Sequence, residues 1–208
     1  MAIKITLTEF MNFVNRAGAA KATVVKQAKK RHENDEDPFS PSSDYWYYLR
    51  KQIQELHKKG KTPVFLDEVL DKIIPDRRGN YQIMINGYKS FLGVRKKFEY
   101  VTPTRKTWTI GDLNIALNPE LTLVHNGEIL VIKLFLSAND TIDRKRADLI
   151  LTLMEHEMRD KVGGDQPVFA ILDVRKHKLF KQNSRNLDLM GLLKGEAKSF
   201  ETQWKELS

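Results

Sequence analysis

The chain has 208 residues, with 35 Lys and Arg, 27 Asp and Glu and 41% apolar side chains, a balance that belongs to a folded globular protein rather than a disordered one. The absence of cysteine excludes disulfides, thiolate metal sites, iron–sulfur clusters and cysteine nucleophiles. The net charge is +8, and residues 1–100 carry 19 basic against 12 acidic side chains, whereas the remainder is nearly balanced. A positive field of this kind favours a phosphate backbone, DNA or RNA, or an acidic protein partner, although a solvated lysine-rich surface has the same composition. No run of 18 apolar residues occurs, so no membrane partner is expected. The opening MAIKITLTEFMNF lacks the unbroken apolar stretch of a secretory signal, and a cytoplasmic location is the expectation.

In chain order, a helix is expected from Thr8, with Phe10, Met11, Phe13 and Val14 at helical spacing, interrupted by Gly18. Lys21 to Arg31 reads as a basic helix whose Lys26, Lys29, Lys30 and Arg31 are candidate phosphate contacts. Reversing these four charges is expected to cost more nucleic-acid affinity than changing Glu120. HENDEDPFSPSS, residues 32–43, has no periodicity and reads as a loop. Asp44 is positioned to cap the next helix, which runs through Tyr45, Tyr48, Leu49, Ile53 and Leu56 to Gly60. A shorter helix follows from Val64 to Ile74 and stops at Pro75, and Tyr88 to Tyr100 suits another short helix. The first half therefore reads as mainly helical.

The pattern changes after Thr102-Pro103. Thr107 to Leu117 alternates apolar and polar residues as a half-buried strand does. Glu120 to Val124 is a second strand, Asn126-Gly127 a two-residue hairpin turn, and Ile129 to Leu136 a central strand broken only by Lys133. A helix over Thr141 to Arg159 ends at Gly163-Gly164. Val168 to Val174 is a further buried strand, with Lys178 to Phe180 extending it or pairing back on it. A terminal helix from Leu187 to Leu207 turns Leu189, Leu192, Leu193, Ala197, Phe200 and Trp204 toward the sheet. The division expected is a basic, mainly helical region over 1–102 and an α/β domain over 103–208.

Within the second part, NPELTLVHNGEILVIKLFL (residues 118–136) resembles the core of the PD-(D/E)XK nuclease superfamily. Pro119-Glu120 stands where that family has Pro-Asp, Asn126-Gly127 supplies the hairpin, and Lys133 lies on the strand that carries the family's acidic residue and lysine. The resemblance spans roughly residues 107–180. It implies an α/β fold with a nuclease-like mixed sheet and flanking helices, in which Glu120, Lys133 and Asp173 lie on neighbouring strands. In that family two carboxylates hold Mg²⁺ and the lysine activates or positions the attacking water. The motif is degenerate here. With Lys133 as the lysine, the acidic position falls on Val131; aligned without a gap, it falls on Lys133 itself and the lysine position on Phe135. Glu128 lies beside the turn, on the opposite strand face from Lys133, and is a poor substitute. Asp148 and Asp173 are carboxylates on neighbouring elements. Two readings stay open: a Mg²⁺ site of Glu120 and Asp173 with catalytic Lys133, or a buried ion pair of Lys133 with Glu120 or Asp173.

Beyond this motif, none of the five histidines is spaced as a metal pair on one helix face, and His57 and His156 read as solvated. The run Tyr45-Trp46-Tyr47-Tyr48 next to Arg50 and Lys51 places aromatic rings beside cations, either as core or as a base-stacking surface, with Tyr45, Tyr48 and Leu49 expected in the core. Arg77 and Arg78, before Gly79, read as a loop cluster within reach of phosphate. The leading expectation is a nucleic-acid-associated protein on a nuclease-like scaffold without hydrolysis and without a cofactor. The alternatives are a Mg²⁺-dependent nuclease with a displaced carboxylate and a protein-interaction subunit of a larger assembly.

Overall fold

Asn126 and Gly127 both adopt positive φ, 51° and 81°, the condition for the tight hairpin turn that matches strand twist. The turn joins Leu121–His125 (β5) to Glu128–Phe135 (β6), which pair antiparallel with Leu123 opposite Leu130. In the computed structural model, which describes residues 2–33, 44–93, 97–138, 140–163, 166–182 and 187–207, this hairpin is the centre of a five-stranded sheet. Glu99–Val101 (β2) flanks β5, Val168–Asp173 (β7) lies parallel to β6, and Lys178–Lys181 (β8) pairs antiparallel with β7. The parallel β6–β7 step is made by the crossover helix Arg144–Met158 (α5), whose first turn is capped by the Asp143 side chain accepting from Arg146 N.

The sheet is covered on both faces, which explains the nearly continuous apolar run in β6. On one face Val131, Phe169, Ile171 and Phe180 join Phe10, Phe13, Leu151 and Phe200 in a single core. That layer contains α5 and three further helices: Leu7–Val14 (α1), Ala19–Glu33 (α2) and the terminal Leu187–Glu206 (α6). On the other face Leu121, Leu123, Ile132, Leu134 and Leu172 pack with Trp46, Ile53, Leu66, Tyr81 and Tyr88. These come from Tyr47–Lys58 (α3) and its preceding turn, the 3-10 helix Pro63–Lys72 and Pro75–Leu92 (α4). Residues 1–102 and 103–208 contribute to both cores.

Several local expectations change. Ile3–Thr6 is a strand (β1), four residues long and too short to show a period; it pairs parallel with Leu113–Leu117 (β4), Ile3 opposite Leu113. Thr6 then caps α1 in a reciprocal box with Glu9. The single strand expected over 107–117 is two, Lys106–Ile110 (β3) and β4, because Gly111 turns the chain at φ 56°. With β1 they form a separate three-stranded sheet, so the sheet expected to run through 107–136 and 168–175 contains only the portion from β5 onward, together with β2. Pro75 starts α4 rather than ending a helix, since its missing N–H costs nothing in a first turn. Residues 64–72 are 3-10 rather than α. Tyr88 belongs to the end of α4, and Glu99–Val101 is strand, so no separate helix covers 88–100. Arg77 and Arg78 consequently lie in the first turns of α4 and not in a loop. Leu192 is half exposed instead of packed, while Leu193, Ala197 and Phe200 are buried. Most of the expected loop at 32–43, together with Arg95, Lys96 and Gly164, lies outside the described residues.

Candidate nucleic-acid interface

Glu120 immediately precedes β5 and, with its N–H bonded to Ile132 O, extends the ladder so that it stands opposite Lys133. The ammonium of Lys133 meets Glu120 Oε1 at 2.5 Å, with both side chains largely buried. Glu120 Oε2 accepts from the backbone N–H of Leu134 at 2.8 Å, so both carboxylate oxygens are engaged. Lys133 Nζ also reaches Asn118 O at 3.4 Å. Of the two partners considered for the lysine, the structure brings Glu120 to it.

Asp173 ends β7 opposite Phe135 and is buried on the same sheet face as Lys133. Its Oδ1 accepts from Lys176 N at 3.1 Å and so fastens the turn into β8. Asp148 pairs with Arg144 one helical turn away, and Glu128 pairs with Lys181 across the sheet. Among the described residues no three His, Asp or Glu side chains converge as a metal site. Glu120, Lys133 and Asp173 thus share a face, but each of the two carboxylates already serves a local partner.

The electrostatic centre is Arg50 on α3. Its guanidinium bonds Asp44, which also accepts from Trp46 N and so organises the turn before α3 rather than capping the helix. Burial lowers the Arg50 pKa, and the nearby charge of Glu120 opposes that shift. Arg50 lies between two recesses. One is an open cleft of about 310 Å³ lined by Tyr47, Lys51, Gln54, Arg105, Asp44 and Glu120. The other is a cavity of about 280 Å³ at the end of β6, between α1 and the start of α5, where Lys133, Arg16 and Arg146 join Arg50. The two ion pairs are polarised across this boundary: Lys133 lines the cavity, whereas Glu120 and Asp44 line the cleft.

The basic helix contributes less free charge than its sequence suggests. Arg31 forks onto both carboxylate oxygens of Glu9, and Lys29 donates to Leu207 O at 2.6 Å, fastening α2 to the chain end. Lys26 and Lys30 are exposed. Arg77 lies over the ring of Tyr45 at 4.6 Å and Lys51 over Tyr47 at 5.1 Å, while Arg78 Nε donates to Ile73 O. Of the aromatic run Trp46 is buried, together with the expected Leu49, while Tyr45 and Tyr48 are half-buried and pack against the same core. Only Tyr47 of that run lines the cleft beside Lys51. His57, expected to be solvated, is buried with Nε2 2.6 Å from the Tyr88 hydroxyl, and desolvation lowers its pKa to about 4.

Arg16, Arg105 and Arg146 are site residues that the sequence pattern does not single out, and it offers Asp44 only as a helix cap. Each lies in a different segment, and only the fold gathers them. A scan of family models finds no match to the chain, and neither do comparisons with curated proteins and with solved structures.

Proposed function

We propose that this is a nucleic-acid-associated protein on a PD-(D/E)XK nuclease-like scaffold that binds its polyanion without hydrolysing it. The observation that carries the reading is the pair of adjoining recesses sharing Arg50, which six cations, Lys51, Arg105, Arg50, Lys133, Arg146 and Arg16, line against the three carboxylates Asp44, Glu120 and Asp140. Tyr47 in the open cleft offers a ring face beside those cations, the combination that single strands use for stacking with backbone attraction. The scaffold reading is supported by the antiparallel β5–β6 hairpin followed by a right-placed helical crossover to parallel β7, the order the sequence resemblance implies. The reading without hydrolysis is supported by the commitments of Glu120: its oxygens hold the Lys133 ammonium and the Leu134 N–H, and Val131 and Phe135 flank Lys133 on its strand face.

Fluorescence anisotropy with an internally labelled single strand and a duplex tests the reading. At low salt binding is expected, falling steeply with added salt. The combined charge reversal Lys51→Glu and Arg105→Glu is expected to weaken it at least tenfold, and reversal of exposed Lys26 and Lys30 by less. No affinity for DNA or RNA at low salt overturns the reading in favour of an acidic protein partner.

One observation favours a second reading, a Mg²⁺-dependent nuclease. Glu120, Lys133 and Asp173 lie at or beside three successive strands of one sheet, with Asp173 on the strand face of Lys133, the residue set that chemistry requires.

A further inference from the structure

The cavity at the end of β6 differs in kind from the cleft beside it. Four cations, Arg16, Arg50, Lys133 and Arg146, line it against a single carboxylate, Asp140, and the carboxylates that pair with two of those cations face the other recess. Arg146 is held in place by Asp140 and by Thr141 O, and Lys133 and Arg50 by Glu120 and Asp44. Arg16, just past the end of α1, is exposed and makes no ion pair among the described residues. Leu7, Met11, Phe135 and Ile150 add apolar surface to the same lining, to which Asn12 and Asn15 also belong. The volume of about 280 Å³ is at the small end of ligand sites, the scale of a single nucleotide.

A recess lined by both positioned cations and apolar side chains suits a compact dianion attached to a flat, weakly polar body. A phosphate monoester carries between one and two negative charges near neutral pH and offers three acceptor oxygens, whereas each phosphodiester within a strand carries one charge. A diester also continues in two directions, whereas a terminal monoester continues in only one. We propose that this cavity binds a terminal phosphate monoester together with its nucleoside, either at a strand end or as a free nucleotide. In its strand-end form this deepens the nucleic-acid reading: the open cleft holds the backbone, and the cavity receives the end.

The test compares internally labelled 12-mers bearing a 5′-phosphate, a 3′-phosphate or hydroxyls at both ends, and adds free nucleoside monophosphates as competitors and in calorimetry. A phosphorylated end is expected to bind at least tenfold tighter than the hydroxyl end. Arg16→Glu, a surface change outside the cores, is expected to abolish that preference. Lys51→Glu is expected to weaken all three strands while leaving their ratio intact. Binding of free nucleotides that Arg16→Glu removes, without binding of any 12-mer, upholds the cavity and overturns the nucleic-acid reading. Equal binding of all three ends with no nucleotide binding overturns the cavity inference and leaves the nucleic-acid reading standing. If neither strands nor nucleotides bind, both fall.

Discussion

Lys133 and Glu120 stand opposite each other across the β5–β6 hairpin with 2.5 Å between ammonium and carboxylate, yet the lysine lines the cavity and the glutamate the cleft. The pair divides two recesses of different charge character while cancelling the burial cost of each partner. A lone charge at this position is strongly unfavourable, and the close contact together with the Leu134 N–H bond offsets that penalty.

Removing either partner should therefore cost far more than removing both. Lys133→Met or Glu120→Gln alone is expected to destabilise by roughly 3–5 kcal/mol, because the remaining group loses its compensation. The double variant keeps an acceptor for Leu134 N–H and is expected to recover most of that loss. Urea denaturation of the three proteins checks this; single variants within about 1 kcal/mol of the parent would refute a buried, tightly coupled pair.

Metal dependence follows from the same geometry. With Glu120 and Asp173 each serving local partners, Mg²⁺ or Mn²⁺ is expected neither to raise the melting temperature nor to support cleavage of DNA or RNA. Metal-dependent cleavage that Glu120→Ala or Asp173→Ala abolishes would establish the nuclease reading instead.

His57 gives the fold an acid sensitivity. Its folded pKa is lowered from 6.5 to about 4 by burial against Tyr88 and Phe98, so between those values the unfolded chain binds the additional proton. Stability from this group is complete above about pH 6.5 and is lost as pH falls toward 4, by roughly 3 kcal/mol at most. Denaturation midpoints measured from pH 7 to 4 should fall accordingly, and His57→Phe should flatten the slope over that window. An unchanged slope in His57→Phe would remove the assignment.

Two glycines of α4 are expected to respond in opposite directions to alanine. A methyl at Gly87 would lie 2.0 Å from Val174 O, a backbone atom at the β7–β8 turn, whereas Gly79 faces open space. Gly87→Ala is expected to cost more than about 2 kcal/mol despite the better helix propensity. Gly79→Ala should gain about 0.5–1 kcal/mol. Thermal denaturation of both variants checks the close approach of α4 to the sheet; a neutral Gly87→Ala would contradict it.

Where an element's physics is local, the residues already contain it. Asn126-Gly127 fixes a hairpin because its backbone geometry excludes most other residues, and the unbroken apolar run of β6 requires cover on both faces. The helical period of α5 and the alternation around Trp108 are legible for the same reason, and the opposition of Glu120 to Lys133 follows from the turn length. What distant parts of the chain supply is not legible. Ile3–Thr6 becomes a strand only because β4, more than 100 residues later, presents an unpaired edge. Gly111 splits one apparent strand in two, and Pro75 opens a helix because the chain before it approaches extended, with Ile74 at ψ 146°. The cationic cavity is the extreme case. Arg16, Arg50, Lys133 and Arg146 come from four parts of the chain, and although Lys133 and Arg50 stand in local motifs, nothing local places the four together. Coulomb attraction acts through space, so only the packing of α1, α3, β6 and α5 decides that these charges line one cavity while Asp44 and Glu120, the partners of Arg50 and Lys133, line the neighbouring cleft.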